Sequence, residues 1–405
     1  MRYGQVHGME LPWIGFFASV ITLLAVSRYH LPLALLFGSL VLGCITLSPG
    51  ETLRAVASAL SNPSYLALSV AMALFPVLGA ALQEGGMLDD LVENLAINRK
   101  AFMAVSAAVL GLLPVPGGAL LSAPLVKKAA GDHPQDKSFV VNIWFRHILI
   151  LIYPLSPALL IPADIAGVDV YDVIPYLVPF FLLFTAVGYV TLLRDIGGEH
   201  VALPSARWKK AALPLAIILV APIIDFCLKR WTSLRPPDAA TLVAVLIAVI
   251  AAVAIGRVDM RRFASASRRS HPEKFFAIIM CMYFFIEVFS RTELGAAIGE
   301  LDVPLVVLCV GIGFFLAFIV GRTQLAAVVV FPAYLGITGA AGIGPLAFTL
   351  TYVSIFLGYL ISPLHPCISV SLEFFDTTLV RAIRIMAPSV MGILGLMAVL
   401  FMLLI

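Results

Sequence analysis

Charged residues are scarce in this chain, and it has no long hydrophilic stretch. Of its 405 residues, 12% are charged and 61% are hydrophobic, whereas a soluble domain has about 25% charged and about 45–50% apolar residues. The longest hydrophilic linkers, 194–210 and 256–274, are too short to fold as separate domains. The composition excludes a soluble protein and predicts an all-α, multi-pass membrane protein.

Paired cysteines, enzyme motifs and basic clusters are also missing. There is no GxSxG, no HExxH and no glycine-rich phosphate loop, so we expect neither enzyme activity nor a bound cofactor. The net charge of +3 is spread over short loops, which predicts no nucleic-acid partner. Five cysteines show neither paired nor metal-ligand spacing and are interpreted as small core residues. They are Cys44, Cys227, Cys281, Cys309 and Cys367.

What the chain has in abundance is apolar runs of about 20 residues, the length that crosses a bilayer. Two longer runs, 138–163 and 346–372, are interrupted by Ser-Pro pairs. Two others, 101–127 and 303–336, are broken at their centres by PVPGG (114–118) and GRTQ (321–324). The uninterrupted spans are 11–27, 31–48, 65–84, 173–192, 211–227, 239–255, 275–290 and 383–405.

The order of these runs repeats along the chain at an offset of about 208 residues. We therefore predict two repeats, 1–195 and 205–405. Each would contain five transmembrane helices and one re-entrant hairpin, and an odd number of spans makes the repeats inverted. The arginine-rich loop 256–274 is predicted to be cytoplasmic.

The run 101–127 has lysines or arginines at both ends, Arg99-Lys100 and Lys127-Lys128, which predicts that both ends lie on the cytoplasmic side. Each arm of roughly 13 residues gives about 20 Å of helix, too short to cross a core about 30 Å thick. The run is therefore predicted to be a re-entrant hairpin with PVPGG at its tip. The run 303–336 is predicted to be its counterpart, with GRTQ at the tip.

Four breaks at membrane depth predict a binding site, because irregular backbone is tolerated there only where protein or water satisfies it. In transporters with inverted repeats, such breaks hold the substrate. Gly117 and Gly118 would present free N–H groups to an anion, and Ser122, about one turn further on, would add a hydroxyl. Pro116, next to these glycines, is a candidate for the pathway or for secondary contacts. The alternative is a packing hairpin whose glycines allow close helix contact.

Arg322 is the most distinctive residue of the second hairpin, because an intramembrane arginine is costly unless it pairs or faces a cavity. Its planar guanidinium suits a carboxylate, and Thr323 and Gln324 would add hydrogen bonds. The alternative is that Arg322 snorkels from an ordinary loop.

Further candidates lie in the broken helices. Substrate-binding candidates are Asn142, Ser156, Ser362 and His365, of which His365 would bind substrate, carry a coupled proton or be purely structural. Asp225 and Glu287 lie near the outer ends of their spans and are expected to be solvated. Candidates for the pathway or for secondary contacts are Arg146, Pro157, Pro363 and Ser369, with snorkelling as the alternative for Arg146.

The runs LLPVPGGALLSAPLV, NIWFRH and SPLHP resemble an uncharacterised bacterial group in the ion transporter superfamily. That superfamily includes gluconate permeases, citrate and C4-dicarboxylate carriers and divalent anion–sodium symporters. The resemblance implies an inverted-repeat fold, a homodimer held by a scaffold domain, and elevator-type alternating access. The sodium–dicarboxylate branch has Ser-Asn-Thr at both tips, where this chain has Pro-Gly-Gly and Arg-Thr-Gln, so protons and sodium both remain possible coupling ions.

Together these features predict a secondary active transporter of a small organic anion in the bacterial inner membrane, in contact with lipid. One alternative is a cation/proton antiporter of the same architecture, which requires a titratable acid at the midplane. Another is an intramembrane enzyme, which requires a catalytic constellation. The substrate, the coupling ion and the direction of transport stay open at this level.

Overall fold

The structure is a computed structural model that describes residues 3–27, 29–94, 98–112, 118–131, 133–196, 208–294, 297, 303–339 and 342–405. The described chain is helical and contains no β-strand. In chain order the helices are α1 (Tyr3–Ser27), α2 (Leu31–Thr46), α3 (Pro49–Ser61), α4 (Pro63–Glu84), α5 (Met87–Glu93), α6 (Arg99–Gly111), α7 (Gly118–Ala130), α8 (Gln135–Ile148), α9 (Pro157–Ile165), α10 (Val170–Gly188), α11 (Trp208–Trp231), α12 (Asp238–Ile255), α13 (Met260–Arg269), α14 (Pro272–Ser290), α15 (Gly313–Val320), α16 (Thr323–Thr338), α17 (Pro345–Ile361), α18 (Pro366–Phe374) and α19 (Leu379–Leu404).

Six of the described helices are long and apolar enough to cross a membrane, which makes the chain a multi-pass helical membrane protein as its composition predicts. Each uninterrupted span predicted from the sequence coincides with one helix, with ends that differ by a few residues except at α1, which begins eight residues earlier than predicted. The six are Pro63–Glu84, Val170–Leu193, Lys209–Trp231, Asp238–Ile255, Pro345–Ile368 and Leu379–Leu404.

The interrupted runs form pairs of helices that end where the sequence places the breaks. The first is α8, a 3₁₀ turn at Leu149–Leu151 and α9, and the second is α17 followed by α18. Pro157 and Pro366 each occupy the first position of the helix after the break, where a missing N–H costs nothing. The Ser156 hydroxyl caps α9 by accepting a hydrogen bond from the Ala158 N–H at 3.3 Å.

Both centrally broken runs also form helix pairs. The first hairpin is α6 and α7, which pack against each other. The second is α15, preceded by a π-helical segment at Val307–Ile312, and α16. The arm Val307–Val320 has 14 residues, or about 21 Å of helix, too short to cross a core about 30 Å thick.

The helices divide into two groups that pack mainly within themselves. One group contains α1–α5 and α11–α14, and the other contains α6–α10 and α15–α19. In the second group, α6 packs on α8 and α15 packs on α17 in the same way. Likewise α7 packs on α18 and α16 packs on α9, so each hairpin touches the broken helix of the other half of the chain.

The structure contains two short helices that were not predicted from the sequence. The linker 256–274 contains α13, which has no buried residue and carries Arg261 and Arg262 in its first turn. The segment between α2 and α4 contains α3, whose start is fixed by a capping box between Ser48 and Glu51. Their polar, short sequences hide such helices from a search for apolar runs.

The cysteines are only partly in the core. All five are free thiols, and Cys281 and Cys309 are buried as predicted. Cys44 is exposed, which contradicts the core interpretation, because it lies on the outward face of α2.

Glycines allow each hairpin to approach its broken helix backbone to backbone. A Cβ at Gly111 of α6 would lie 1.8 Å from the Arg146 carbonyl oxygen of α8. A Cβ at Gly358 of α17 would lie 2.0 Å from the Phe314 carbonyl oxygen of α15. These contacts are backbone atoms, which cannot move aside as a flexible side chain can, so only glycine fits.

We predict that Gly358→Ala separates α15 from α17 and lowers the free energy of unfolding by about 1–3 kcal/mol, the usual cost of overpacking. The measurement is the thermal unfolding midpoint in detergent. Gly392→Ala in α19 is the control, because no atom lies within 4 Å of a Cβ there. Equal midpoints for the two variants would contradict the packing argument.

Candidate functional site

The tip of the second hairpin rests directly on the break between α17 and α18. Gly321 adopts a left-handed conformation (φ 67°), and a Cβ there would lie 2.7 Å from the carbonyl carbon of Leu364. The Ser362 hydroxyl donates to the Phe318 carbonyl at 2.5 Å. Two of the predicted breaks therefore meet, and Arg322 follows immediately after the contact.

The same tip also contacts the break in the first half of the chain. The Thr323 hydroxyl donates to the Ala158 carbonyl at 3.1 Å, and the Gln324 amide donates to the Pro157 carbonyl at 3.1 Å. These bonds dock α16 on the first turn of α9. The donors predicted to hold substrate are thus engaged with the backbone in this structure.

Arg322 lies at the edge of a buried cluster. Its side chain is half-buried and lies within electrostatic range of Tyr359 and Cys367. Of the described residues, no carboxylate lies close enough to act on it. The interpretation of Arg322 as a snorkelling residue on an ordinary loop does not agree with this packing, since the hairpin tip is docked on both broken helices.

Arg146 and its neighbours form the opposite side of the cluster. Arg146 is 4% exposed, so it does not snorkel, and its Nη1 donates to the Ser122 hydroxyl of α7 at 3.3 Å. One turn earlier, the Asn142 amide donates to the Ser371 hydroxyl of α18 at 3.4 Å. The Asn142 Oδ1 is buried without a partner among the described residues. Two predicted residues of the first half, Asn142 and Arg146, therefore interact with the second half, and Ser122 holds Arg146.

Two histidine rings meet edge to face in this cluster. The rings of His147 and His365 have centroids 4.6 Å apart, and the Tyr359 ring lies 4.2 Å from His365. His147 Nδ1 is bonded to the Ile143 carbonyl at 2.6 Å. His147 lies twelve residues beyond Gln135, the start of α8, which corresponds to about 18 Å of helix.

His147 and Tyr359 were missed by the sequence analysis. The available signal was position: His147 directly follows Arg146, and Tyr359 precedes the SPLHP break. An apolar helix offers many such residues, and nothing in the one-dimensional pattern shows which of them turn toward each other.

His147, His365 and Cys367 also have potential metal-ligand atoms within 4.8 Å of one another. A nitrogen and thiolate set of this kind suits a transition metal. Arg146 and Arg322 both lie within electrostatic range of His365, however, and no described carboxylate acts on His365. Two fixed positive charges make this place unfavourable for a metal cation and favourable for an anion.

The structure describes some of the remaining candidate residues and not others. Pro116 and Gly117, at the tip of the first hairpin, lie outside the described residues. Gly118 is the first residue of α7, and Ser369 lies within α18 although its side chain is outside the description. The predicted amide site at the first tip therefore stays a prediction. Ser156 and Ser362 occupy the breaks, next to Pro157 and Pro363.

A second polar network lies at the other end of the molecule. Asp225 is fully buried, which contradicts its expected solvation. Its carboxylate accepts hydrogen bonds from Tyr171 (2.7 Å) and Thr241 (2.8 Å) and pairs with Lys229 at 3.1 Å. The location near a helix end indicated solvent, but the neighbouring helices α10 and α12 cover it. Glu287, also expected to be solvated, is 17% exposed and pairs with Arg291 at 3.2 Å.

This network borders a cavity of about 420 Å³ between the two helix groups. The cavity is lined by Asp164, Lys229 and Asp238, among others. The Tyr283 hydroxyl donates to Asp164 at 2.5 Å, and the Ser64 hydroxyl donates to Asp238. The described carboxylates here each have a partner, so the network joins the helix groups at this end.

The chain belongs to a family of proteins of unknown function (DUF401), whose profile matches residues 13–405. No curated protein matches the chain. The matched region includes both hairpins and both broken helices, so the whole candidate site falls inside it.

We predict that Asp225→Ala lowers the free energy of unfolding by about 3–5 kcal/mol, because removing one partner leaves the other charge of a buried pair uncompensated. The measurement is again thermal unfolding in detergent. Asp89→Ala is the control: Asp89 is exposed on α5, where substitutions change stability by about 0.5 kcal/mol or less. A shift for Asp225→Ala no larger than that of the control would contradict the pairing.

Proposed function

We propose that this protein is a secondary active transporter that moves a small organic anion, of the carboxylate class, across the bacterial inner membrane. The observation that carries the proposal is the charge of the buried cluster. Arg146 and Arg322 approach His365 from opposite halves of the chain, and no described carboxylate acts on Arg322 or His365. A carboxylate substrate would supply the missing negative charge.

The energetics favour an anion at this place. A buried guanidinium is costly unless it is paired, and it pairs best with a planar, bidentate carboxylate. The partly exposed Arg322 and the exposed Leu364 lie at the edge of the cluster, so a small molecule has access to the arginine from that side. Arg146 would hold the anion from within, since it is fixed by Ser122.

The architecture expected from the sequence supports transport by alternating access. The corresponding packing of α6 on α8 and of α15 on α17 agrees with two inverted repeats, 1–195 and 205–405. In an elevator mechanism, the group with hairpins and broken helices would move against the other group, which would form a homodimeric scaffold. The coupling ion in this proposal is H⁺ or Na⁺.

A cation/proton antiporter is less favoured. It requires a carboxylate at the breaks, whereas the buried Asp225 lies in the last turns of α11 with both of its oxygens bonded. An intramembrane enzyme requires a catalytic constellation. The described cluster places the Cys367 thiol near His147 and His365, but no described carboxylate acts on His365 to complete a triad.

We predict that Arg322→Ala reduces uptake by tenfold or more in proteoliposomes, because a hydrogen bond to a charged group contributes about 1.5–3 kcal/mol. The screen uses labelled carboxylates with imposed proton and sodium gradients. Arg261→Ala on the exposed helix α13 is the matched control for the loss of one positive charge. Gel filtration and thermal unfolding confirm that the Arg322 variant is folded, and wild-type uptake by that variant would disprove the assignment.

A further inference from the structure

His365 is a buried imidazole without hydrogen bonds. It is 1% exposed, and neither ring nitrogen has a partner among the described residues. The Tyr359 carbonyl is near enough to act on the ring but does not meet hydrogen-bond geometry. Leaving a buried polar atom unpaired costs about 1–3 kcal/mol, and such a group in a native structure calls for an explanation.

The neighbours of His365 determine which ligand would satisfy it. The titratable and charged groups that face it are Arg146 and His147 from α8, Arg322 from the hairpin tip, Tyr359 from α17 and Cys367 from α18. None of them is a carboxylate. A positive charge on His365 is therefore repelled by two arginines until an anion enters.

An anion bound between Arg146 and Arg322 would reverse this balance. Its negative charge would favour the imidazolium over the neutral ring, since a nearby opposite charge favours the charged form. One N–H of the imidazolium could then bond to the anion, and the other lies next to the Tyr359 carbonyl. Binding of anion and proton would thus favour each other, as thermodynamic linkage requires.

We propose that the coupling ion is a proton and that His365 holds it during transport, an inference that rests on the anion-transport function proposed above. A proton from the aqueous phase binds one ring nitrogen of the neutral imidazole as the anion binds. The imidazolium releases that proton to the opposite aqueous phase when the anion leaves, and the neutral ring is restored. Sodium fits less well, because it requires oxygen ligands, whereas the unpartnered polar atoms at His365 are two ring nitrogens.

The test uses proteoliposomes containing the full-length protein and the trapped pH dye pyranine, with the membrane potential clamped by potassium and valinomycin. Labelled succinate, citrate and gluconate are the probes, in sodium-free buffer. Wild-type protein is expected to acidify the lumen in step with uptake. Its apparent affinity for the probe should fall by about 5- to 150-fold as the pH rises, the usual range of coupling between two sites.

His365→Gln is expected to lose both the acidification and the pH dependence of affinity, and any exchange of labelled for unlabelled probe that remains should be independent of pH. His133→Gln, at a half-buried histidine in the connection between α7 and α8, is the control and should behave as wild type. The wild-type acidification is informative without any variant, so a failure of His365→Gln to fold does not remove the test.

The outcomes separate the two proposals. Uptake by wild type without acidification, uptake that requires sodium, or unchanged acidification by His365→Gln would each overturn the proton assignment alone. Uptake of none of the probes would overturn the transport function as well. Stoichiometric zinc in purified wild type that is lost in His365→Gln would assign His147, His365 and Cys367 to a metal instead and overturn the proton assignment.

Discussion

The candidate site depends on one electrostatic constraint: two arginines and two histidines lie close together, and no described carboxylate acts on Arg322 or His365. In water such a cluster would cost little, but charges in a low-dielectric interior repel strongly. Arg146 is held by Ser122, and His147 is held by the Ile143 carbonyl, so these two side chains have partners from the protein. Arg322 and His365 depend on what enters from outside.

The backbone breaks make that cluster possible. If α17 continued into α18 as one helix, helical periodicity alone would set the direction of the His365 side chain. The backbone carbonyls near the break would then be bonded within that helix. The break instead lets Gly321 approach the Leu364 backbone and lets Ser362 bond to Phe318. Close glycine contacts therefore replace side-chain packing at the site, which brings the two halves of the chain within reach of one anion.

Between the two helix groups, tyrosine hydroxyls form much of the polar contact. Tyr153 donates to the Ile218 carbonyl at 2.9 Å, Tyr171 to Pro222 and Asp225, and Tyr283 to Asp164. An aromatic ring with one hydroxyl gives apolar packing and a single exchangeable bond. In the proposed transport mechanism, few of these bonds would need to break at once for one group to move against the other.

The sequence by itself determined the class of the protein, the positions of the helices and the positions of the breaks. Apolar length, Ser-Pro pairs and glycines act locally, so 156–157 and 321–324 could be identified without any partner. Polar character also marked Arg322 and His365. The tertiary structure decided which residues meet: it added His147 and Tyr359, engaged Thr323 and Gln324 with the backbone, and buried Asp225 behind α10 and α12. These outcomes depend on contacts between residues more than 100 positions apart, or on which face of an apolar helix turns toward its neighbours. A local sequence pattern contains neither kind of information.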